Sequence, residues 1–230
     1  MKKILLFVGL AVFILGVVIY VILKLFLFPN VYLNQNLVVH YRSNVTTDKP
    51  NLKIASQKLR LSAVFDSTKS YQIYLCPSVT SFNILAPFNQ RSNATVYRSI
   101  NTIFLRPDMV RINGNAESPQ RKSTMAGLIA TTVTMTELDD NSHTSSAEDW
   151  KKIGYAEYIG GDSVQNAQTL CKFIGQKQSP LLESIKDQLA VTYLMREKRI
   201  GLDSLLSSRI PRDSVLSLLC SPMIKTVPLS

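Results

Sequence analysis

An uncharged apolar run from Ile4 to Leu23 stands at the head of the sequence, behind Met1-Lys2-Lys3. As a helix rising about 1.5 Å per residue, such a run reaches across the ~30 Å hydrocarbon core of a bilayer. A globule in water has little use for a helix that is apolar on every side. Lys24 interrupts the pattern where its ammonium can reach the headgroups. Leu25 to Phe28 continue it, and Pro29-Asn30 end it. A cleaved signal peptide has a shorter apolar stretch and a small-residue cleavage site, whereas this run closes on Leu-Phe-Leu-Phe-Pro. Residues 1–28 are therefore expected to be a transmembrane signal-anchor, with residues 4–28 in the membrane. Lys2 and Lys3 favour a cytoplasmic N-terminus, although Arg42, Lys49, Lys53, Lys58 and Arg60 follow the span. A long domain behind an early anchor reads as exported, to the periplasm or the outer surface of a bacterium.

Residues 29–230 suffice for one domain with one sizeable core. The chain carries 26 Lys and Arg against 16 Asp and Glu, and removing Lys2, Lys3 and Lys24 leaves a formal +7 beyond the anchor. These charges are dispersed, with no basic run and no aromatic-interleaved patch, so no nucleic-acid partner is expected. A basic surface facing an anionic membrane is the plainer reading. Cys76, Cys171 and Cys220 lack the spacing of a zinc or redox motif. One disulfide is open to them, with Cys76–Cys171 the preferred pair; equally, all three serve as small buried apolar residues.

Local signals give an α+β chain: a small sheet, then a mainly helical C-terminal part. Val31 to Arg42 reads as an extended lead-in. Asp48 and Pro50 start a helix carrying Leu52, Ala55 and Leu59. Tyr71 to Cys76 and Thr102 to Arg106 read as strands, with an irregular, partly helical insert from Ser81 to Arg98. Glu137 to Ala147 reads as a polar loop. Ser179 and Pro180 open a helix whose Leu182, Ile185, Leu189 and Tyr193 share a face, and Gly201 ends it. Two short helices follow, from Leu202 to Leu206 and from Pro211 to Leu219.

By propensity alone, Ile129-Ala-Thr-Thr-Val-Thr-Met135 is a β-branched run suited to a strand. In its setting it reads otherwise. Met125-Ala-Gly-Leu-Ile-Ala-Thr-Thr-Val-Thr-Met135 precedes Trp150-Lys-Lys-Ile-Gly-Tyr-Ala-Glu-Tyr-Ile159, and the two strands lie upstream. Together with Tyr193-Leu-Met-Arg-Glu-Lys-Arg-Ile-Gly-Leu202, these segments resemble a group of bacterial membrane-anchored proteins with a gluzincin-type zinc peptidase domain. The resemblance implies a zincin-like fold over 29–230 and a helix starting near Ser123, where the family carries His-Glu-x-x-His. It also implies a third ligand from a later Trp-x-x-Glu-Gly element. In this chain the two His positions are Thr131 and Met135, the general-base Glu is Thr132, and the third ligand is Ile153. Two His one turn apart share a helix face and so share a metal, and the Glu between them takes a proton from bound water. Thr is a poor zinc ligand, Met sulfur is too soft for an oxygen and nitrogen site, and Ile cannot ligate. The resemblance thus implies vestigial positions at Thr131, Thr132, Met135 and Ile153, no catalytic residue and no zinc or other cofactor. It also implies a cleft, lined by Trp150 and Tyr155 besides, that receives a peptide or protein partner.

Other chemistry is sparse. His40 and His143 read as surface residues, and Glu137, Asp139, Asp140, His143, Glu148 and Asp149 as a solvated acidic loop without calcium-loop spacing. There is no Gly-x-Ser-x-Gly elbow and no glycine-rich phosphate loop. The leading expectation is a membrane-anchored pseudopeptidase. A hydrolase with an unrecognised active site and a structural membrane protein of unrelated fold remain the alternatives.

Overall fold

The computed structural model describes residues 2–42, 49–87, 94–106, 124–144, 146–161 and 180–224. In chain order these form α1 (Lys2–Leu27), β1 (Asn30–Asn34), β2 (Leu37–Tyr41), α2 (Lys49–Arg60), β3 (Tyr71–Leu75), α3 (Val79–Leu85), β4 (Ala94–Tyr97) and β5 (Thr102–Leu105). The helices α4 (Met125–Asp140), α5 (Asp149–Gly160), α6 (Pro180–Thr192), α7 (Leu202–Ser207) and α8 (Arg212–Ile224) follow. The fold is mixed α+β, and by contact it divides into two compact units. A sheet unit comprises Met1–Thr47 and Ser70–Asp108, and a helical unit comprises Asp48–Lys69 and Met109–Ser230. The anchor helix groups with the strands, and α2, which follows β2 in the chain, groups with the later helices.

The sheet runs β1-β2-β3-β5-β4, with β2, β3 and β5 mutually parallel and antiparallel strands at both edges. Its register aligns Val39 with Ile73 and Ile73 with Ile103, three β-branched residues all but fully buried. The expected lead-in from Val31 to Arg42 is in fact a hairpin, turned at Gln35, whose φ of 57° is left-handed. Just ahead of the expected insert, Ser78 forms a capping box with Ser81 that starts α3. On one face Tyr74 and Phe104 stack at 4.9 Å, Phe28 meets Tyr74 edge-on at 5.0 Å, and Phe82 and Leu85 of α3 complete the cluster. Cys76 lies in it as a free thiol that burial pushes up to about 12. The Cys76–Cys171 pairing is thereby corrected: Cys220 is the bonded cysteine, and its partner lies outside the described residues.

Among the described residues α1 is the one helix long and apolar enough to cross a membrane, over Gly9–Leu27. The described side chains from Gly9 to Ile22 are exposed, and in the last turns Leu23 and Leu27 pack into the aromatic cluster.

In the helical unit α5 packs on both α4 and α6. The core holds Leu138, Tyr155, Ile159, Ala190, Val191, Leu194, Leu205 and Val215. The expected loop from Glu137 is still helix as far as Asp140, because Glu137 and Leu138 are buried and the Glu137 carboxylate accepts Lys69 Nζ at 2.8 and 2.9 Å. The helix expected to run up to Gly201 instead passes from α6 into a π turn at Tyr193–Glu197 and a left-handed Arg199 at φ 54°. The Ser123 helix start and the Ser179 cap lie outside the described residues; Thr124 caps α4, accepting from Gly127 N–H.

Candidate functional site

Residues 129–135 are helical, contrary to their β-branched propensity. Ile129, Ala130 and Val133 are fully buried, and burial of that kind outweighs a few tenths of a kcal/mol per residue of helix propensity. The threonines are accommodated by bonding back along the helix. Thr132 Oγ1 donates to Leu128 O at 2.7 Å, and Thr136 Oγ1 to Thr132 O at 2.8 Å. Thr134 Oγ1 is buried without a partner.

Thr131 and Met135 are half-buried and one turn apart, hence on one face of α4. That face meets the C-terminal end of α5. A Cβ built on Gly160 would stand 2.1 Å from Thr131 Oγ1 and 2.5 Å from Gly127 O, so the backbone of α5 fills the space beside Thr131. At the other end Lys152 Nζ contacts Asp139 at 3.0 Å, which makes α4 and α5 antiparallel. Ile153 is on α5 and half-buried, seven residues before Gly160, or about 10 Å along the axis. Thr131 thus sits beside Gly160, two turns from Ile153.

Two residues expected to line a cleft are core instead. Tyr155 is 1% exposed, its hydroxyl accepting Ala63 N–H at 2.9 Å, and Thr132 is buried with its hydroxyl already used. Trp150 is half-buried, its Nε1 donating to Glu148 Oε2 at 2.6 Å.

The zinc that the resembled family holds at these positions does not fit the residues present here. None of the four positions offers a nitrogen or carboxylate donor, and the Thr132 hydroxyl is committed to a carbonyl. Among the described residues no three His, Cys, Asp or Glu side chains gather where they would hold a metal ion. Nor is the expected acidic loop loose. Glu137 and Asp139 lie in the last turn of α4, where carboxylates oppose the helix dipole, and lysines from elsewhere compensate. The hydrogen bond to Glu137 raises the Lys69 ammonium above its ordinary value, and the one to Asp139 does the same for Lys152.

Beyond the end of α4 a groove of about 790 Å³ opens. Ala63 and Val64 line it from behind α2. Asn141, His143, Thr144 and Ser146 come from the α4–α5 connection, and Leu202, Asp203, Leu206 and Ser207 from α7. Thr144 fixes the connection by donating to Leu138 O, and His143 N–H donates to Asn141 Oδ1 at 2.9 Å. None of Thr131, Thr132, Met135, Trp150 and Tyr155 borders the groove, although Tyr155 holds Ala63 of its wall. His143 is exposed, as expected, but faces the groove. His40, expected at the surface, is half-buried: its ring stacks on Tyr74 at 4.3 Å and its Nε2 bonds Gln72 Oε1 at 2.7 Å.

Sequence reasoning missed the glycines that bring the helices together. On α5, a Cβ at Gly154 would lie 2.4 Å from Asp187 O and 2.6 Å from Val191 Cγ2 of α6. The pair Gly160-Gly161 reads as a boundary, and its added role is to admit α4 and to be capped by Lys58 Nζ, which donates to both carbonyls at 2.8 and 3.1 Å. No protein-family model matches the chain, and no curated protein matches it.

Proposed function

We propose that this chain is a membrane-anchored pseudopeptidase. In this reading α1 holds it in the membrane, the remainder lies outside the cytoplasm, and the helical unit binds a peptide or protein segment without cleaving it. The observation that carries the reading is the chemistry of α4. The positions at which the resembled family places two zinc ligands and a general base hold Thr131, Met135 and Thr132. One of these packs against Gly160, and one is turned onto its own helix carbonyl. A hydrolytic zinc site needs about three donors and an open position, and these side chains supply neither.

The binding surface is better sought at the groove than at α4. Its volume is in the range of about 300–1,000 Å³ usual for ligand sites, and it combines Val64, Leu202 and Leu206 with Asn141, His143, Ser146 and Asp203. Extended peptides suit such a surface, with apolar side chains to fill it and backbone groups for the polar rim. The test is a photo-reactive p-benzoylphenylalanine placed at His143 of the full chain in its native membrane, beside the same probe at Asp213, an 89% exposed side chain away from the groove. A discrete adduct at His143 and none at Asp213 is expected. Equal yields at both, or none at either, count against a binding site in the groove.

A further inference from the structure

β1 begins three residues beyond the end of α1 and alternates strictly: Asn30, Tyr32 and Asn34 are half-buried, while Val31 and Leu33 are 54% and 68% exposed. The register fixes the side on which these two stand. Val31 pairs with His40, His40 with Tyr74, and Tyr74 with Phe104, and residues directly opposite share a face. That is the face on which α1 docks. Lys24 Nζ stands 4.2 Å from the Tyr74 ring centroid, and Leu23 and Leu27 pack with Phe28, Tyr74 and Phe104. Val31 and Leu33 therefore extend, past the covered rings, the apolar surface of a helix whose own Leu25 and Phe26 are each 69% exposed. Two cations lie along the last turns of α1: Arg42, directly after β2, is 5.5 Å from the Phe26 ring, and Lys24 is 5.1 Å from that of Tyr20.

An edge strand that exposes two large apolar side chains is a liability in water. Aromatic rings flanked by Lys and Arg are what the headgroup region of a bilayer favours. We infer that β1 is an interfacial membrane element, with Val31 and Leu33 inserted at the headgroup–acyl boundary beside the end of α1 and Arg42 among the lipid phosphates. This rests on reading α1 as a membrane span. Continuity with that span makes lipid, rather than a second copy of the chain, the occupant.

The test places a nitroxide, one position at a time, in Ile14→Cys, Val31→Cys, Tyr32→Cys and Leu33→Cys of the full chain, with the unsubstituted chain as control because Cys76 is buried. The protein is reconstituted into phosphatidylcholine–phosphatidylglycerol vesicles, and collision with oxygen is compared with collision with a water-soluble nickel chelate. Labels at 31 and 33 are expected to favour oxygen, at a depth about 5–10 Å into the boundary region, while the label at 32, on the opposite face, does not. A deep label at 14 with water-like labels at 31 and 33 overturns the inference and leaves the anchor standing. A water-like label at 14 defeats the anchor itself. Labels at 33 that sense each other across two copies, and not lipid, overturn the inference in favour of an edge-to-edge dimer.

Discussion

The sheet unit and the helical unit solve the same burial problem in opposite ways. Between β3, β5, α1 and α3 the space is filled by large side chains: Phe28, Tyr74 and Phe104 meet as stacked and edge-on rings, Phe82 packs in the same cluster, and the Lys24 cation lies over Tyr74 and Phe104. Between α4, α5 and α6 space is removed rather than filled, because Gly127, Gly154 and Gly160 let backbone meet backbone. Charge in the helical unit is buried or half-buried in pairs, in Lys69–Glu137, Lys152–Asp139 and the Arg212 pairs with Glu183 and Asp187. One design tolerates losing a methyl group but not a ring; the other tolerates almost no added atom.

The largest effect expected from that contrast is at Tyr74. Tyr74→Ala deletes a ring touching His40, Phe28, Phe104 and Lys24, and should cost the sheet unit about 4 kcal/mol, read as faster hydrogen exchange at the β3 and β5 amides. Next comes the opposite change, one carbon gained. Gly154→Ala drives a methyl into Asp187 O and Val191, and should lower stability by about 2–3 kcal/mol in urea unfolding followed through Trp150 fluorescence. If Gly154→Ala is neutral while Tyr74→Ala is severe, the close approach of α5 and α6 is wrong.

Legibility from sequence follows the same division. The strands at Tyr71 and Thr102 were readable because β-branched and aromatic residues announce a pleated, buried surface, and α2 because Leu52, Ala55 and Leu59 repeat at helical spacing. The hairpin of β1 and β2 was not, because its turn uses a left-handed Gln35 instead of glycine. In α4 propensity alone points to a strand; the helix was expected through the resemblance and is observed over Met125–Asp140, and the burial that favours it comes from residues far along the chain. Nor does a composition reveal that Thr132 spends its hydroxyl on Leu128, or that Tyr155 is core while His143 faces a groove.

A third, smaller effect isolates the polar cost inside α4. Thr134→Val keeps the shape and removes a buried hydroxyl that has no partner, and should stabilise the chain by about 1 kcal/mol in the same unfolding experiment. Thr132→Val, which removes a hydroxyl that is bonded, should not.

The smallest effect is in acid. The hydrogen bond from Lys186, followed by Arg212, holds the Glu183 carboxyl below its ordinary value of 4.5. A depressed carboxyl contributes stability above its unfolded value and loses it as pH falls through the folded one. Glu183→Gln should therefore flatten the decline in stability below pH 4.5, by about 0.5 kcal/mol for a partly exposed pair. Asp187, raised by burial against the pull of Arg212, works with the opposite sign, its share present at low pH and lost as pH rises. A steeper acid decline in Glu183→Gln would invert this assignment.

The reading of α4 as a helix whose ligand positions have been filled meets its plainest trial in the metal content of the purified full chain after dialysis. Zinc far below one per chain is expected, unchanged in Met135→Ala. One zinc per chain that survives dialysis and is lost in Met135→Ala would mean that this helix still holds a metal, and the noncatalytic reading would fail.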